Sequence, residues 1–170
     1  RLAHDTGALK KDDLARITVD TTVQPKNVTF PTDAKLLETA IRQLGKLAKE
    51  HDVPLRQSYR RVAKKAAMMA GRYAHAKQFK RMNRRITFLR TRLGRLIRDV
   101  RRKIDGDEGL EEAFAVPLGR ASQIRGQKQR QRGWKLYSWH APETECIGKG
   151  KAHKPYEFGV KVSLATTNKR

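Results

Sequence analysis

The sequence predicts an α+β fold in which a long, basic helical segment separates a first strand from a β-hairpin near the end of the chain. β-branched residues crowd residues 16–23, and apolar residues alternate along residues 156–164, as they do in strands. Between these two runs, apolar residues recur every three or four positions, as on one face of a helix. We therefore expect the first strand in residues 1–32, the helices in 33–131 and the hairpin in 132–170.

The first strand carries a charged residue at its centre. The run RITVDTTV is short enough for a buried strand, and Asp20 lies in the middle of it. An unpaired carboxylate in a buried strand costs several kcal/mol, so we expect a partner for its charge. Two partners are open: a nearby Arg, or a divalent cation held by oxygen ligands for chemistry on phosphate.

The spacing of apolar residues predicts four helical segments. The first begins near Thr32 and ends before His51, and the second begins near Gln57. A third runs through residues 77–103, and a fourth, after a break made of glycines and acids, through 110–130. The second segment carries an apolar stripe formed by Tyr59, Val62, Ala66, Met69, Ala70 and Tyr73.

The third helical segment combines an apolar seam with dense positive charge. Its seam has nearly heptad spacing, which is typical of coiled-coil-like or helical-hairpin packing and would serve either DNA gripping or dimerisation. The seam consists of Ile86, Leu89, Leu93, Leu96, Val100 and Ile104. Residues 77–103 also contain 12 Lys or Arg residues, and Asp99 is the only acid among them. A solvated helix face usually mixes the two signs of charge, so this composition favours contact with a nucleic-acid backbone.

The end of the chain predicts a β-hairpin. Residues 135–140 have strand composition, and Phe158, Val160 and Val162 alternate on one face of the run 156–164. A long loop rich in Gly, Pro and Lys, residues 141–155, would connect the two strands.

The charge of the whole chain indicates a polyanionic partner. The chain has 170 residues, with 39 Lys and Arg against 17 Asp and Glu, a formal charge of +22, and DNA or RNA is the first candidate. Such contacts neutralise phosphates without reading bases, so we expect strong salt dependence and weak selectivity. The predicted contact residues are Lys77, Lys80, Arg81, Arg84, Arg85, Arg92, Arg95, Arg102, Lys149 and Lys151.

Other sites and locations are disfavoured by the sequence. No apolar run reaches the roughly 18 residues that span a bilayer, and no signal segment opens the chain, so we expect a cytoplasmic protein with no membrane partner. The single Cys146 cannot form an internal disulfide. Together with His140 and His153 it lacks the spacing of a zinc site. Residues 148–151, GKGK, lack the spacing of a phosphate-binding loop.

Four segments, in order along the chain, carry a resemblance to a known family. They are VDTTVQPK at 19–26, AGRYAHAKQ at 70–78, HAPETECIGKGK at 140–151 and YEFGVK at 156–161. These segments resemble bacterial DDE transposases of the insertion-sequence-five family. The resemblance implies a DNA transposase that cleaves phosphodiesters and transfers strands of an insertion sequence. It also implies element ends and target DNA as partners, a homo-oligomer on DNA and a place at the bacterial nucleoid.

The resemblance further implies an RNase H-like core with Asp20 as its first catalytic carboxylate. In such enzymes three carboxylates hold two Mg²⁺ ions. The motifs for the second Asp and the Glu do not follow Leu164, and Glu143, Glu145 and Glu157 do not stand in matching positions. We therefore expect a central fragment, with a partial RNase H-like core made of the first strand and the C-terminal hairpin, that is inactive as a nuclease by itself.

One departure from the family and two alternatives remain at this stage. An RNase H-like sheet runs its first three strands consecutively, so the basic helical segment is predicted to be a long insertion into the core. The main alternative is a noncatalytic, basic DNA-binding remnant of a decayed mobile element. An RNA-binding, ribosome-associated protein would fit the charge but leaves Asp20 unexplained.

Overall fold

The computed structural model describes residues 17–167 except for 130, 149, 151 and 154. These residues form two compact units. The helical unit is Val28–Thr144, and the sheet unit comprises residues 17–27 and 145–167. The helical unit therefore extends beyond the predicted limits at both of its ends, to residue 28 instead of 33 and to 144 instead of 131.

Four helices of the helical unit correspond to the four predicted segments. They are α1 (Asp33–Glu50), α2 (Arg60–His75), α3 (Phe79–Ile104) and α4 (Glu108–Gly126). Helix α1 begins where the side chain of Thr32 accepts a hydrogen bond from the backbone N–H of Lys35. The carboxylate of Asp107 caps α4 in the same way, through the N–H of Leu110 at 3.0 Å. These caps satisfy backbone donors that have no partner inside the helix.

The apolar seam of α3 is buried inside the helical unit itself. Leu89, Leu93 and Leu96 are fully buried with α1 residues such as Ile41 and with Phe114 of α4. Because this seam is already covered by neighbouring helices of the same chain, it is not available for dimerisation in this fold. Burying the seam also forces the remaining side chains of α3, most of them basic, toward solvent.

The predicted apolar stripe of α2 is partly wrong. The residues of α2 that enter the core are Ala63, Ala66 and Ala70, whereas Val62 is 45% exposed. Small alanine side chains allow α2 and α3 to approach closely, so the residues buried on α2 are determined by side-chain size as well as by apolarity.

Residues 135–140 do not form the predicted strand. The side-chain amide of Gln127 donates to the carbonyl of Leu136 at 3.1 Å, and the N–H of Leu136 donates back to that amide at 3.1 Å. Leu136 is fully buried against the helical core, where Trp139 also packs. A side chain thus supplies the hydrogen bonds that a partner strand would have made, and this segment belongs to the helical unit.

The sheet unit contains three antiparallel strands in the order β1–β3–β2. They are β1 (Ile17–Pro25), β2 (Glu145–Gly148) and β3 (Tyr156–Thr167). The hairpin partner of β3 is therefore β2, which pairs with residues 156–159 of β3, and not residues 135–140. A Cβ atom at Gly159 would collide with the carbonyl oxygen of Gln24 in β1, so only glycine permits this pairing.

Candidate nucleic-acid interface

The candidate interface is the solvent side of α3, and we call the predicted contact residues within this helix the basic stripe. At about 100° per residue, its members lie within an arc of about 140°, opposite the buried seam. They are Lys80, Arg81, Arg84, Arg85, Arg92, Arg95 and Arg102. At about 1.5 Å per residue the stripe is roughly 33 Å long, close to the repeat of about 34 Å in duplex DNA.

Four residues of the basic stripe have no partner within the described part of the chain. They are Lys80, Arg84, Arg85 and Arg95, and all four are exposed. Charges that are not paired within the protein remain available for phosphate oxygens, which accept strong, charge-assisted hydrogen bonds.

Aromatic rings hold two further arginines of the stripe. The guanidinium carbon of Arg92 lies 4.6 Å from the ring centre of Phe88 and 5.5 Å from that of Tyr59. That of Arg81 lies 5.9 Å from the ring of Tyr73. Such cation–π contacts restrict a guanidinium group while leaving its N–H donors free to bind an anion.

Near the C-terminal end of α3, a cleft of about 520 Å³ brings five arginines together. We call it the arginine cleft; it is lined by Arg56, Gln57, Tyr59, Arg95, Arg98, Asp99, Arg101 and Arg102. The concentration of positive charge in a concave surface favours an anionic ligand.

Asp99 holds the arginine cleft together. Its side chain is only 10% exposed and accepts a hydrogen bond of 2.8 Å from the backbone N–H of Arg56, which fastens the α1–α2 connection to α3. Its carboxylate also lies 3.5 Å from Arg102 and 3.6 Å from Lys103. The sequence did not indicate Arg56 or the role of Asp99, although position 99 is three residues after Leu96 and thus beside the seam.

Replacing Asp99 with Ala is expected to lower the free energy of unfolding by about 2 kcal/mol, because hydrogen bonds to charged groups contribute about 1.5–3 kcal/mol. Asp99→Asn should lose less, since its amide oxygen can still accept from Arg56. Urea unfolding measures both effects. The exposed Asp105, which caps the C-terminal end of α3, supplies the control variant Asp105→Ala with little change. Equal stability of Asp99→Ala and the parent protein would contradict this role.

The N-terminal end of the stripe meets the α2–α3 turn. Lys77, Lys80, Arg81 and Arg84 line one hollow there, together with Gln78 and Phe79. Lys77 has a left-handed backbone with φ of 56°, which turns the chain from α2 into α3. The two other predicted contact residues, Lys149 and Lys151, lie outside the described residues.

Two other arginines of α3, neither of them among the predicted contacts, also have partners within the protein. Arg90 donates to the carbonyl of Gln127 at 2.8 Å and pairs with Asp33 at 3.4 Å. Arg101 donates to the hydroxyl of Ser122 at 3.3 Å. Both point to the side of α3 that packs near α4, so the positive charge of this helix is divided between packing and a free surface.

Asp20 is exposed, and the prediction that it is buried in the strand is wrong. It lies opposite Leu164 in the β1–β3 pairing, and neither an arginine nor another cation pairs with it in the described part of the chain. A solvated carboxylate has no desolvation cost to offset, so burial gives no argument for a bound cation at this position.

The register separates Asp20 from the nearby acids. Directly paired residues of an antiparallel sheet point to the same face, and side chains alternate along each strand. Asp20 therefore shares a face with Val162 and Leu164, whereas Glu145 and Glu157 stand on the opposite face. No group of three or more His, Cys, Asp or Glu residues within the described ranges could hold a metal ion. The donors described here thus do not fit a two-magnesium site.

The fold and the interface define an α+β protein with a cationic helical surface. Over 77 residues the chain is 52% identical to the uncharacterized protein ORF8 in the nfe locus of Rhizobium meliloti. This match covers 45% of the chain and 37% of the length of that relative. No family model matches the chain, and no solved structure matches it. Among the helices described, none is long and apolar enough to cross a membrane.

Proposed function

We propose that this chain is the DNA-holding part of an insertion-sequence transposase, with the basic stripe of α3 bound along the phosphate backbone. The observation that carries the proposal is the set of four exposed Lys and Arg side chains that have no partner among the described residues, on a helix whose opposite side is buried. Such an arrangement supports affinity for a polyanion with a regular spacing of charge. On this proposal the protein acts on DNA in the bacterial cytoplasm, at the nucleoid, as a homo-oligomer.

The catalytic part of the proposal rests on the four family-like segments and on the place of Asp20. Asp20 would be one of three carboxylates that hold two Mg²⁺ ions in an RNase H-like core. The other two would come from beyond the described residues, which supply no further acid on the same face of the sheet. We therefore derive no cleavage step from this chain alone.

The second candidate function is a noncatalytic, basic DNA-binding protein. The specific observation in its favour is that Asp20 is solvated and that, among the described residues, no acidic neighbours could form a metal site with it. Both candidates require the basic stripe to bind DNA. They differ in whether Asp20 matters for chemistry, and substitution at Asp20 separates them.

Salt dependence tests the binding function that both candidates share. If the seven basic residues of the stripe each neutralise one phosphate, the logarithm of the binding constant K should fall with the logarithm of the salt concentration, with a slope of about −6. Between 50 and 200 mM salt the affinity for duplex DNA should then fall by about 4 × 10³-fold, with little difference between unrelated sequences. Fluorescence anisotropy with labelled duplexes measures this slope. A slope shallower than about −2 would contradict binding along the stripe.

A further inference from the structure

The hollow at the α2–α3 turn contains an aromatic side chain that the basic stripe does not use. Phe79 is the first residue of α3, and it is 57% exposed. The hollow has a volume of about 710 Å³ and is lined by Lys77, Gln78, Phe79, Lys80, Arg81 and Arg84. Single exposed apolar residues are common. What distinguishes Phe79 is that the other residues of this hollow are four cations and one amide.

The turn that presents Phe79 is held firmly. The backbone N–H of Lys77 donates to Ala74 at 3.0 Å, and that of Gln78 donates to Tyr73 at 2.8 Å. The side chain of Arg81 donates to the amide oxygen of Gln78 at 3.1 Å and lies over the ring of Tyr73. Because these contacts fix the backbone on both sides, the aromatic ring projects from a preorganised turn, which lowers the entropy lost on binding.

Building on the DNA-binding function proposed above, we propose that Phe79 stacks on an unpaired or unstacked base of the DNA. The neighbouring cations would hold the phosphates on either side of that base. Aromatic rings surrounded by basic residues are the usual platform for single-stranded nucleic acid, since every base has a π face and every nucleotide a phosphate. A partner protein with an apolar surface would be a poorer match for the charges around the ring.

The test compares oligothymidine with a duplex of equal length, for variants at Phe79. We expect Phe79→Ala to lower the affinity for oligothymidine by about tenfold, since the stacking of one base on the ring is lost. Affinity for the duplex should change less than about twofold, because the phosphate contacts remain. Phe79→Leu should behave as Phe79→Ala, whereas Phe79→Trp should keep full affinity. The matched control is Val116→Ala, since Val116 is an apolar residue of α4 with 61% exposure.

Phe79→Trp adds a direct signal. Its fluorescence should be quenched by oligothymidine beyond the change given by Trp134 and Trp139 in the parent protein, because a stacked base lies against the indole. Urea unfolding of each variant should show little change, since Phe79 is exposed.

Each other outcome overturns a distinct statement. Full affinity of Phe79→Ala for oligothymidine, with the parent still binding the duplex, overturns stacking and leaves the proposed function intact. Full affinity of Phe79→Leu also overturns it, because an apolar contact without a π system would then suffice. If the parent protein binds neither oligothymidine nor the duplex, the proposed function fails together with the stacking.

Discussion

On the proposed transposase function, Asp20→Asn is expected to abolish DNA cleavage by a longer protein in which two further acids complete the catalytic site. The substitution preserves the size of the side chain and removes its negative charge. On that proposal Asp20 would be one ligand of metal ions that stabilise the transition state of phosphodiester cleavage by several kcal/mol, so its loss should lower the cleavage rate by about 10³-fold or more. A cleavage assay in Mg²⁺ with supercoiled DNA carrying the element ends measures this rate.

The sheet itself supplies the control for Asp20. Glu145 is an exposed acid on β2, and its side chain stands on the face opposite Asp20. Glu145→Gln should therefore leave cleavage within about twofold of the parent, as is usual for an exposed residue away from the site. Both variants should bind DNA as the parent does, because the basic stripe is unchanged. If Asp20→Asn cleaves as fast as Glu145→Gln, Asp20 takes no part in cleavage and its proposed catalytic role is wrong. If neither the variants nor the parent cleave, the noncatalytic DNA-binding function is the one supported.

Replacing the four basic residues of the stripe that have no described partner with Gln is expected to lower duplex affinity on the order of 10²-fold. This corresponds to about 0.7 kcal/mol for each lost phosphate contact. The residues are Lys80, Arg84, Arg85 and Arg95. The slope of log K against log salt should also become shallower by about 3.6, at about 0.9 for each phosphate. Anisotropy titrations at several salt concentrations measure both quantities. Since all four side chains are exposed and unpaired, urea unfolding should be almost unchanged.

A second quadruple variant separates the position of the charges from their number. Helix α1 carries four exposed basic residues, Lys35, Arg42, Lys46 and Lys49. Replacing these with Gln removes the same total charge from a different helix, and it should lower duplex affinity by less than about fivefold, through the weakened overall field alone. Equal losses from the two quadruple variants would mean that net charge, and not the basic stripe, drives binding.

The helical unit could be predicted well from the sequence because its signals are local. The three- and four-residue spacing of apolar residues sets which side of α3 is buried, and the Lys and Arg residues between them must then face solvent. Thr32 and the glycines and acids at 105–109 predict where helices begin and end. The prediction failed for residues 135–140, whose apolar side chains pack against the helices instead of forming a strand. The side chain of Gln127 that bonds to Leu136 lies near it only in the folded chain.

The candidate sites were predictable only in part. The density of charge in the sequence indicated the basic stripe. Which basic side chains of α3 are free depends on partners far away in the sequence, because Arg90 pairs with Asp33, whereas Arg84 has no partner among the described residues. The arginine cleft was not predicted, since it exists only because Arg56 meets Asp99 across 43 residues. The metal hypothesis assumed that Asp20 was buried, and the strand sequence alone could not show which neighbours would cover it.

By itself, the sequence determined the four helices, the apolar seam and the basic face of α3, because helical periodicity and charge are properties of neighbouring residues. Only the tertiary structure decided that the seam is buried within the same chain, that Asp99 lies beneath the arginines and that Asp20 faces solvent. Those outcomes depend on which distant segments pack together, and burial, hydrogen bonding and the cost of a charge are set by that packing.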